Sequence, residues 1–420
     1  MKIKAITGML ILLISFSPEL VSARSNAKND NFVKIGVAQV NITPDKPAMM
    51  SGYAARETPS MGVHDSLYAS AFYFSGEKEK RLLITADLIG FSFDFTEEMR
   101  HLIASKVDIP SQNIMLIAVH NHGGPSISNH GPESVKEYKE VLKNKLVRLA
   151  VEASVNPQPF LMGMGKGRCN MNISRRAEFS KGEVWLGRNQ DGSCDHELSV
   201  VKFESLDHKP LAVLINWPCH GTATGDSNYL ITGDWPGSSA RYIKKQIGND
   251  VVVGITAGAS ADINPIYGPG NVFKEVDAIG FHIGDETMNV LSKIETYPVK
   301  TLQEANATMT FPGKKSGKNH LPPTSYESGP DREIRLTVLK IGDLVLSGIS
   351  GELMTEIGME VKKQSPYSGT LIVTHCNGSS GYICTDKAFS EGGYEVQTTG
   401  LMPGAEKPLI SKFLELIHSL

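Results

Sequence analysis

The chain has 420 residues, enough for one large domain or two ordinary ones. Its 40% apolar and 21% charged content is that of a folded globular protein and argues against overall disorder. A formal charge of −3, with no Lys/Arg block or stripe, argues against a nucleic-acid partner.

The first element is a targeting segment. Lys2 and Lys4 precede the largely apolar stretch Ile6–Phe16, and Val21-Ser22-Ala23 offers small residues for cleavage. This is the pattern of a Sec signal peptide over residues 1–23. Its apolar core falls short of the ~20 residues that a membrane span needs. No cysteine follows closely enough for a lipoprotein anchor, and no later stretch reads as a transmembrane helix. The expectation is an exported protein, periplasmic or secreted, with a polar tail over residues 24–33 and a single domain over 34–420.

Apolar, β-branched runs predict strands at Lys34–Val40, Ser70–Phe74, Arg81–Ala86, Ile114–Val119, Leu198–Phe203, Leu211–Asn216, Val251–Thr256, Glu333–Ile341, Leu344–Ile349 and Thr370–Thr374. Helices are predicted at Phe95–Lys106, Glu133–Val155, Ser238–Ile247, Val276–Ile294, Glu352–Gln364 and Lys407–Ser419. The second of these spaces Val135, Tyr138, Val141, Leu142 and Leu149 at intervals near three to four, as an amphipathic helix should. Interleaved strands and helices imply an α/β class, a mixed β-sheet domain flanked by helices. The Pro- and Gly-rich stretch Phe311–Asp331 reads as a long loop, a surface excursion or a lid. Five cysteines leave two pairings open, Cys169–Cys194 and Cys376–Cys384, beside free thiols.

Several strands end in residues able to do chemistry. LIAVHNHGGP delivers His120 and His122, NWPCHG delivers His220, and SADINP delivers Asn264. ISGELM delivers Glu352 and SSGYICT delivers Tyr382. Sites form beyond the carboxyl ends of strands in open α/β sheets, so a mostly parallel sheet would gather these residues. His120 and His122, two apart on a strand, would share one face. Imidazole suits zinc, with His220 and Glu352 as further candidate ligands. Taken singly each has a structural explanation: a hydrogen-bonded pair, a buried histidine, a helix-start carboxylate, a packed tyrosine. Arg175 and Arg176 in NISRR either meet an anionic group or face solvent.

Together the motifs are more specific. VAQVNITP, MMSGYAAR, GVHDSLYASAFYF, LLITADLIG, AVHNHGGP, NISRR, DHELSVVKFE, NWPCHGTAT, TGDWPG, SGELMTEIG and NGSSGYICTDKAFSEGGYEV occur in order through the chain. In this the sequence resembles the neutral/alkaline non-lysosomal ceramidase family, in its N-terminal catalytic domain. The resemblance implies one zinc ion per chain, held by His120, His220, Glu352 and Tyr382. It also implies that His122, Arg175 and Tyr394 face the scissile amide; a one-residue slip would put Arg176 in place of Arg175. The implied activity is amide hydrolysis by zinc-activated water, on ceramide or a related N-acyl lipid or small amide, with room for peripheral membrane contact. Two departures bear on this. The family's serine in a Gly-Asp/Asn-x-Ser-Pro motif is here Asn264. The chain ends soon after Glu395, leaving no room for the C-terminal β-sandwich of enzymes acting on long-chain ceramide. An esterase or lactonase on the same fold, or a non-catalytic lipid-binding homologue, are the alternatives. Oligomeric state is not legible.

Overall fold

Strands that are apolar on both faces must be covered on both faces, and the architecture follows from that need. The computed structural model describes residues 32–179, 182–315 and 325–420. The expected signal peptide, nearly all of the expected polar tail and the middle of the Phe311–Asp331 stretch lie outside these. Eight strands pair in the order Val252–Ala257, Pro210–Trp217, Glu197–Ser205, Gln158–Arg168, Lys34–Asn41, Tyr68–Ser75, Lys80–Ala86 and Ile114–Ala118. The short Tyr297–Pro298 joins Gln158–Arg168 as a ninth. A second sheet has the order Leu302–Lys314, Ser328–Ile341, Leu344–Ile349, Gly369–Val373.

The two sheets pack face to face. Phe72, Phe74, Phe160 and Phe203 of the first meet Leu339, Leu346 and Leu371 of the second in one buried cluster. The outer face of the large sheet is covered by two helix pairs. Phe93–Ala104 and Glu133–Val155 bury Met99, Ile103, Leu142 and Leu146 against Ala71, Ile84 and Leu116. Asp234–Ile247 and Phe273–Leu291 bury Ile243, Ile279 and Ile283 against Val200, Val213 and Ile255. Thr355–Gln364 and Glu406–His418 cover the small sheet through Ile357, Val361, Leu409 and Phe413. The result is four layers, helix–sheet–sheet–helix, of the expected α/β class with mixed sheets.

Two expectations are corrected. The sheets are mainly antiparallel, with parallel sense confined to a few pairs: Lys80–Ala86 with Ile114–Ala118, Pro210–Trp217 with Val252–Ala257, and Leu344–Ile349 with Gly369–Val373. Much of the expected loop at Phe311–Asp331 is strand, since Phe311 pairs with Arg332 and Lys314 with Ser328. Pro312 is tolerated because it lies on the edge strand, where the register shifts between Phe311 and Gly313. All five cysteines are free thiols, the reading left open beside the two candidate pairs, neither of which is bonded.

The sequence reading also passed over the strand Gln158–Arg168, whose glycines weaken its β signature. Those glycines make room for the neighbouring layer. A Cβ at Gly163 would run into the Glu295 carbonyl, and one at Gly167 into the Glu286 carboxylate.

Candidate metal centre

Segments from both sheets meet at one edge. After Ile114–Ala118 the chain turns at His120, which takes a left-handed backbone with φ 63°, rare for a non-glycine residue. The turn is pinned by Asn121 N–H donating to the Leu88 carbonyl (3.1 Å) and His122 N–H donating to the Gly221 carbonyl (3.0 Å). His120 and His122 therefore converge through a strained turn, not through the pleat of a strand. Their Nε2 atoms lie 3.2 Å apart. Gly52, at φ 100°, lies against the His122 ring, where any Cβ would collide.

His220 follows Pro210–Trp217 and is fully buried. Its carbonyl accepts from Trp235 Nε1 at 2.7 Å. Glu352 and Tyr382 are directly paired residues on two short parallel strands, Glu352–Leu353 and Tyr382–Ile383. The Glu352 carboxylate reaches both histidines: Oε2 is 3.2 Å from His220 Nε2 and 3.4 Å from His120 Nε2.

The outward-facing nitrogens fix the tautomers. His120 Nδ1 donates to the Ile89 carbonyl at 2.8 Å, and His220 Nδ1 to the Ile263 carbonyl at 3.0 Å. Each Nε2 is left with its lone pair turned inward, the arrangement that metal-ligating histidines adopt. Unprotonated nitrogens and a carboxylate oxygen at 3.2–3.4 Å repel unless a proton or a cation lies between them. Donors held ~2.0–2.1 Å from one tetrahedral ion lie about 3.3–3.4 Å apart, so the set fits a single divalent cation.

Electrostatics favour the same states. Burial, with His120 and His220 beside it, holds His122 well below the usual imidazole range. Burial, Arg175 and His120 push His220 down to about 4. Burial works against ionisation of Glu352, but His120 and His220 outweigh it and hold the carboxyl well below the usual range. Near neutral pH His122 and His220 carry no charge, and the Glu352 carboxyl is ionised.

Arg175 forms the adjoining wall. Its strand, Asn172–Glu178, pairs with Ile263–Pro265, which carries Asn264. The buried guanidinium donates from Nη2 to the Tyr382 hydroxyl at 3.2 Å and from Nη1 to Asn264 Oδ1 at 3.5 Å, and Nη1 lies 3.3 Å from His220 Nε2. Nε donates to Glu395 Oε1 at 2.7 Å. Arg176, one step along the strand, points away and meets Glu395 and Glu391 at 2.8 and 3.1 Å. The structure thus puts Arg175 in the centre. The Tyr394 ring lies edge-on to Tyr382, with the Arg175 guanidinium 5.5 Å from its centroid. Burial and Glu352 push the Tyr382 hydroxyl well above its ordinary range.

Two residues here escaped the sequence reading. Glu395, 1% exposed, is the buried counter-ion of both arginines. Two adjacent arginines on one strand cannot both face solvent, which was a signal that an acid could meet the inward one. His375 stacks on His120 with centroids 3.9 Å apart. It follows a predicted strand directly, the same signal that singled out His120 and His220.

Fold and site together define an α/β protein with a candidate metal centre where its two sheets meet. The chain belongs to the neutral/alkaline non-lysosomal ceramidase family, whose N-terminal profile matches residues 33–269. It is 24% identical over 253 residues to neutral ceramidase B of Dictyostelium discoideum, covering 56% of this chain and 35% of that protein. It is 27% identical over 226 residues to the neutral ceramidase of Pseudomonas aeruginosa, covering 50% of this chain and 33% of that one. The matched stretch thus spans about a third of these relatives. The crystal structure of the Pseudomonas aeruginosa enzyme superposes with a TM-score of 0.77 over 93% of this chain and 74% of that chain, at 17% identity, which shows a shared fold.

Proposed function

We propose that this chain is an exported, zinc-dependent amidohydrolase with one catalytic domain over residues 34–420, cleaving ceramide or a related N-acyl lipid or amide. The approach of the Glu352 carboxylate to both His220 Nε2 and His120 Nε2, at 3.2 and 3.4 Å, with both outer imidazole nitrogens already committed, is the observation that supports it best. His120, His220, Glu352 and Tyr382 would hold the ion, one per chain. A bound zinc ion acts as a Lewis acid and lowers the pKa of water to about 7.

The protein's own groups do the rest. Arg175 is fixed by Glu395 and keeps a full positive charge beside the donors, where an amide oxygen gains negative charge during attack. His122 is neutral, and its Nδ1 has no hydrogen-bond partner among the described residues. Its Nε2 lies beside the donors, 3.2 Å from His120 Nε2, and on this reading that edge of the ring meets the scissile amide. Tyr394 closes the same wall. Asn264 has no nucleophilic hydroxyl, so on this reading water attacks and Asn264 orients substrate with Arg175. The attacking water gives up a proton as its oxygen bonds to the carbonyl carbon, and the amine takes up a proton as the C–N bond breaks, so the step balances. Export rests on the N-terminal pattern, and among the described residues no helix is long and apolar enough to cross a membrane.

Asn264 in the serine position also motivates a second reading, an ester- or lactone-cleaving enzyme or a lipid-binding homologue without turnover. Metal analysis of purified protein, with fatty-acid release from a short-chain fluorescent ceramide and a matched acyl ester, separates these. One zinc per chain and amide turnover abolished in His120→Ala bear out the amidase. Turnover of the ester alone supports the esterase. Zinc without turnover, restored by Asn264→Ser, shows that the hydroxyl is required. No zinc in the wild-type protein overturns the metal reading.

A further inference from the structure

His375 has three features that simple packing leaves unexplained. It is 5% exposed, and its Nε2 has no hydrogen-bond partner among the described residues. Its backbone is left-handed, with φ 53°. Its ring lies 11° from parallel to His120, and one of its nitrogens is within 4.8 Å of donor atoms of both His120 and Glu352. A left-handed backbone at a buried non-glycine residue persists where the surrounding structure over-determines it.

Geometry narrows the use. An imidazole lone pair lies in the ring plane, so two stacked, nearly parallel rings cannot both point at one ion ~2.0–2.1 Å away. His375 is therefore not a further ligand of the ion that His120 would hold. Nor can His120 bridge to a second ion, because its other nitrogen is committed to the Ile89 carbonyl.

The backbone shows what His375 does hold. Its carbonyl accepts from Ala118 N–H at 3.2 Å, two residues before His120. Its own N–H donates to the Gly351 carbonyl at 3.2 Å, one residue before Glu352. Cys376 bridges to Ile117, and the Asn377 side chain accepts from Leu116 N–H at 2.9 Å. The Thr374–Asn377 stretch is thus a clip between the arm that carries His120 and the arm that carries Glu352.

Resting on the metal reading above, we propose that His375 is a positioning residue of the centre: its stacked ring fixes the plane of His120, and thereby sets how tightly the centre binds zinc. The other contacts described for the His120 ring are edge-on, the Nδ1 bond to Ile89 and the T-shaped approaches of His122 and His220 at 4.7 and 4.5 Å, so the stacked His375 face resists the turn that would swing Nε2 away from Glu352 and His220. Residues that orient a metal-ligating histidine typically change metal affinity 10–100-fold when lost.

The test is zinc affinity of the full-length mature protein by competition with a chromophoric chelator, with the visible spectrum of the cobalt(II)-loaded protein as a second readout. Three variants separate the ring from its nitrogen. His375→Leu and His375→Gln lose the stack, and affinity falls tenfold or more with a changed cobalt spectrum. His375→Phe keeps the stack and recovers most of the affinity. Melting of the zinc-free variants alongside zinc-free wild type separates positioning from folding, and the Phe and Gln variants carry the test where Leu does not fold. Wild-type affinity in Leu or Gln overturns the proposal, as does a Phe variant no tighter than Leu. A wild-type protein that binds no zinc overturns the metal reading itself, a different result from unchanged affinities among the variants.

Discussion

Replacing Glu395 with glutamine removes one charge and should loosen a whole wall of the site. Glu395 is 1% exposed and receives Arg175 at 2.7 Å and Arg176 at 2.8 Å. Arg176 keeps Glu391 at 3.1 Å, but Arg175 has no other carboxylate within ion-pair distance among the described residues. Glutamine offers one acceptor oxygen and turns an N–H₂ toward the other guanidinium, so a charge-assisted bond becomes a donor facing a donor. Removing one partner of a buried pair costs ~3–5 kcal/mol. At roughly 2.1 cal/mol/K of unfolding entropy per residue over a chain of this length, that is a fall in melting temperature of about 4–6 °C. Thermal melting followed by circular dichroism, on zinc-free and zinc-loaded protein, reads it directly. Arg175→Met combined with Glu395→Gln should destabilise less than the sum of the two by ~1 kcal/mol or more, since the second change removes a charge already unpaired. A Glu395→Gln protein melting within about 1 °C of wild type would refute the claim that this carboxylate holds the arginine wall.

Burial pushes the Asp262 carboxyl up to about 7. A raised folded-state pKa means that the folded protein keeps a proton that the unfolded chain releases between pH ~4 and ~7, so this stability is full below pH ~4 and lost as pH rises through 7. Asp262→Asn keeps an acceptor for Thr355 N–H (2.9 Å in wild type) and should flatten that loss by roughly 2–4 kcal/mol, measured by melting at pH 5 and pH 8. Gly163→Val should destabilise by about 1–3 kcal/mol through overpacking against Glu295, seen as a lower melting temperature with unchanged metal content per folded chain. Dialysis against a strong chelator should abolish turnover and zinc should restore it, whereas His120→Ala should stay inactive after zinc is added back.

Much of the fold was legible because its strands are long apolar runs and its helices amphipathic. Glu133–Val155 was placed to the residue, and most other elements shifted only at their ends. The failures have physical reasons. The Gln158–Arg168 strand hides behind glycines that exist for an interlayer contact, which no local pattern reveals. Pro312 and Pro330 look like breakers, yet the edge position of one and a register shift accommodate them. Sheet sense was misjudged because an apolar run signals burial on both faces, and here a second sheet, not only helices, supplies the cover. In the site, strand ends carried His120, His220 and Glu352 into view. The convergence of His120 with His122 was expected for the wrong reason, since a left-handed turn does what a pleat was expected to do. Glu395 stayed hidden because a counter-ion is found by its partners, and these lie 220 residues away.

The seam between the sheets has a consequence for how this protein keeps its shape. His220 comes off the large sheet and Glu352 off the small one, 132 residues further along the chain. An ion gripped by both would add a cross-link between layers that also share apolar packing, the Thr374–Asn377 clip, the buried Arg81–Glu304 ion pair and the Asn216–Ile372 hydrogen bond. Tying a chain segment of that length removes conformational freedom from the unfolded state on the order of 4–5 kcal/mol by loop-closure reasoning. Metal supply would then act as a fastener as well as a reagent: a chain starved of the ion would part first along this line, and proteases would find it there.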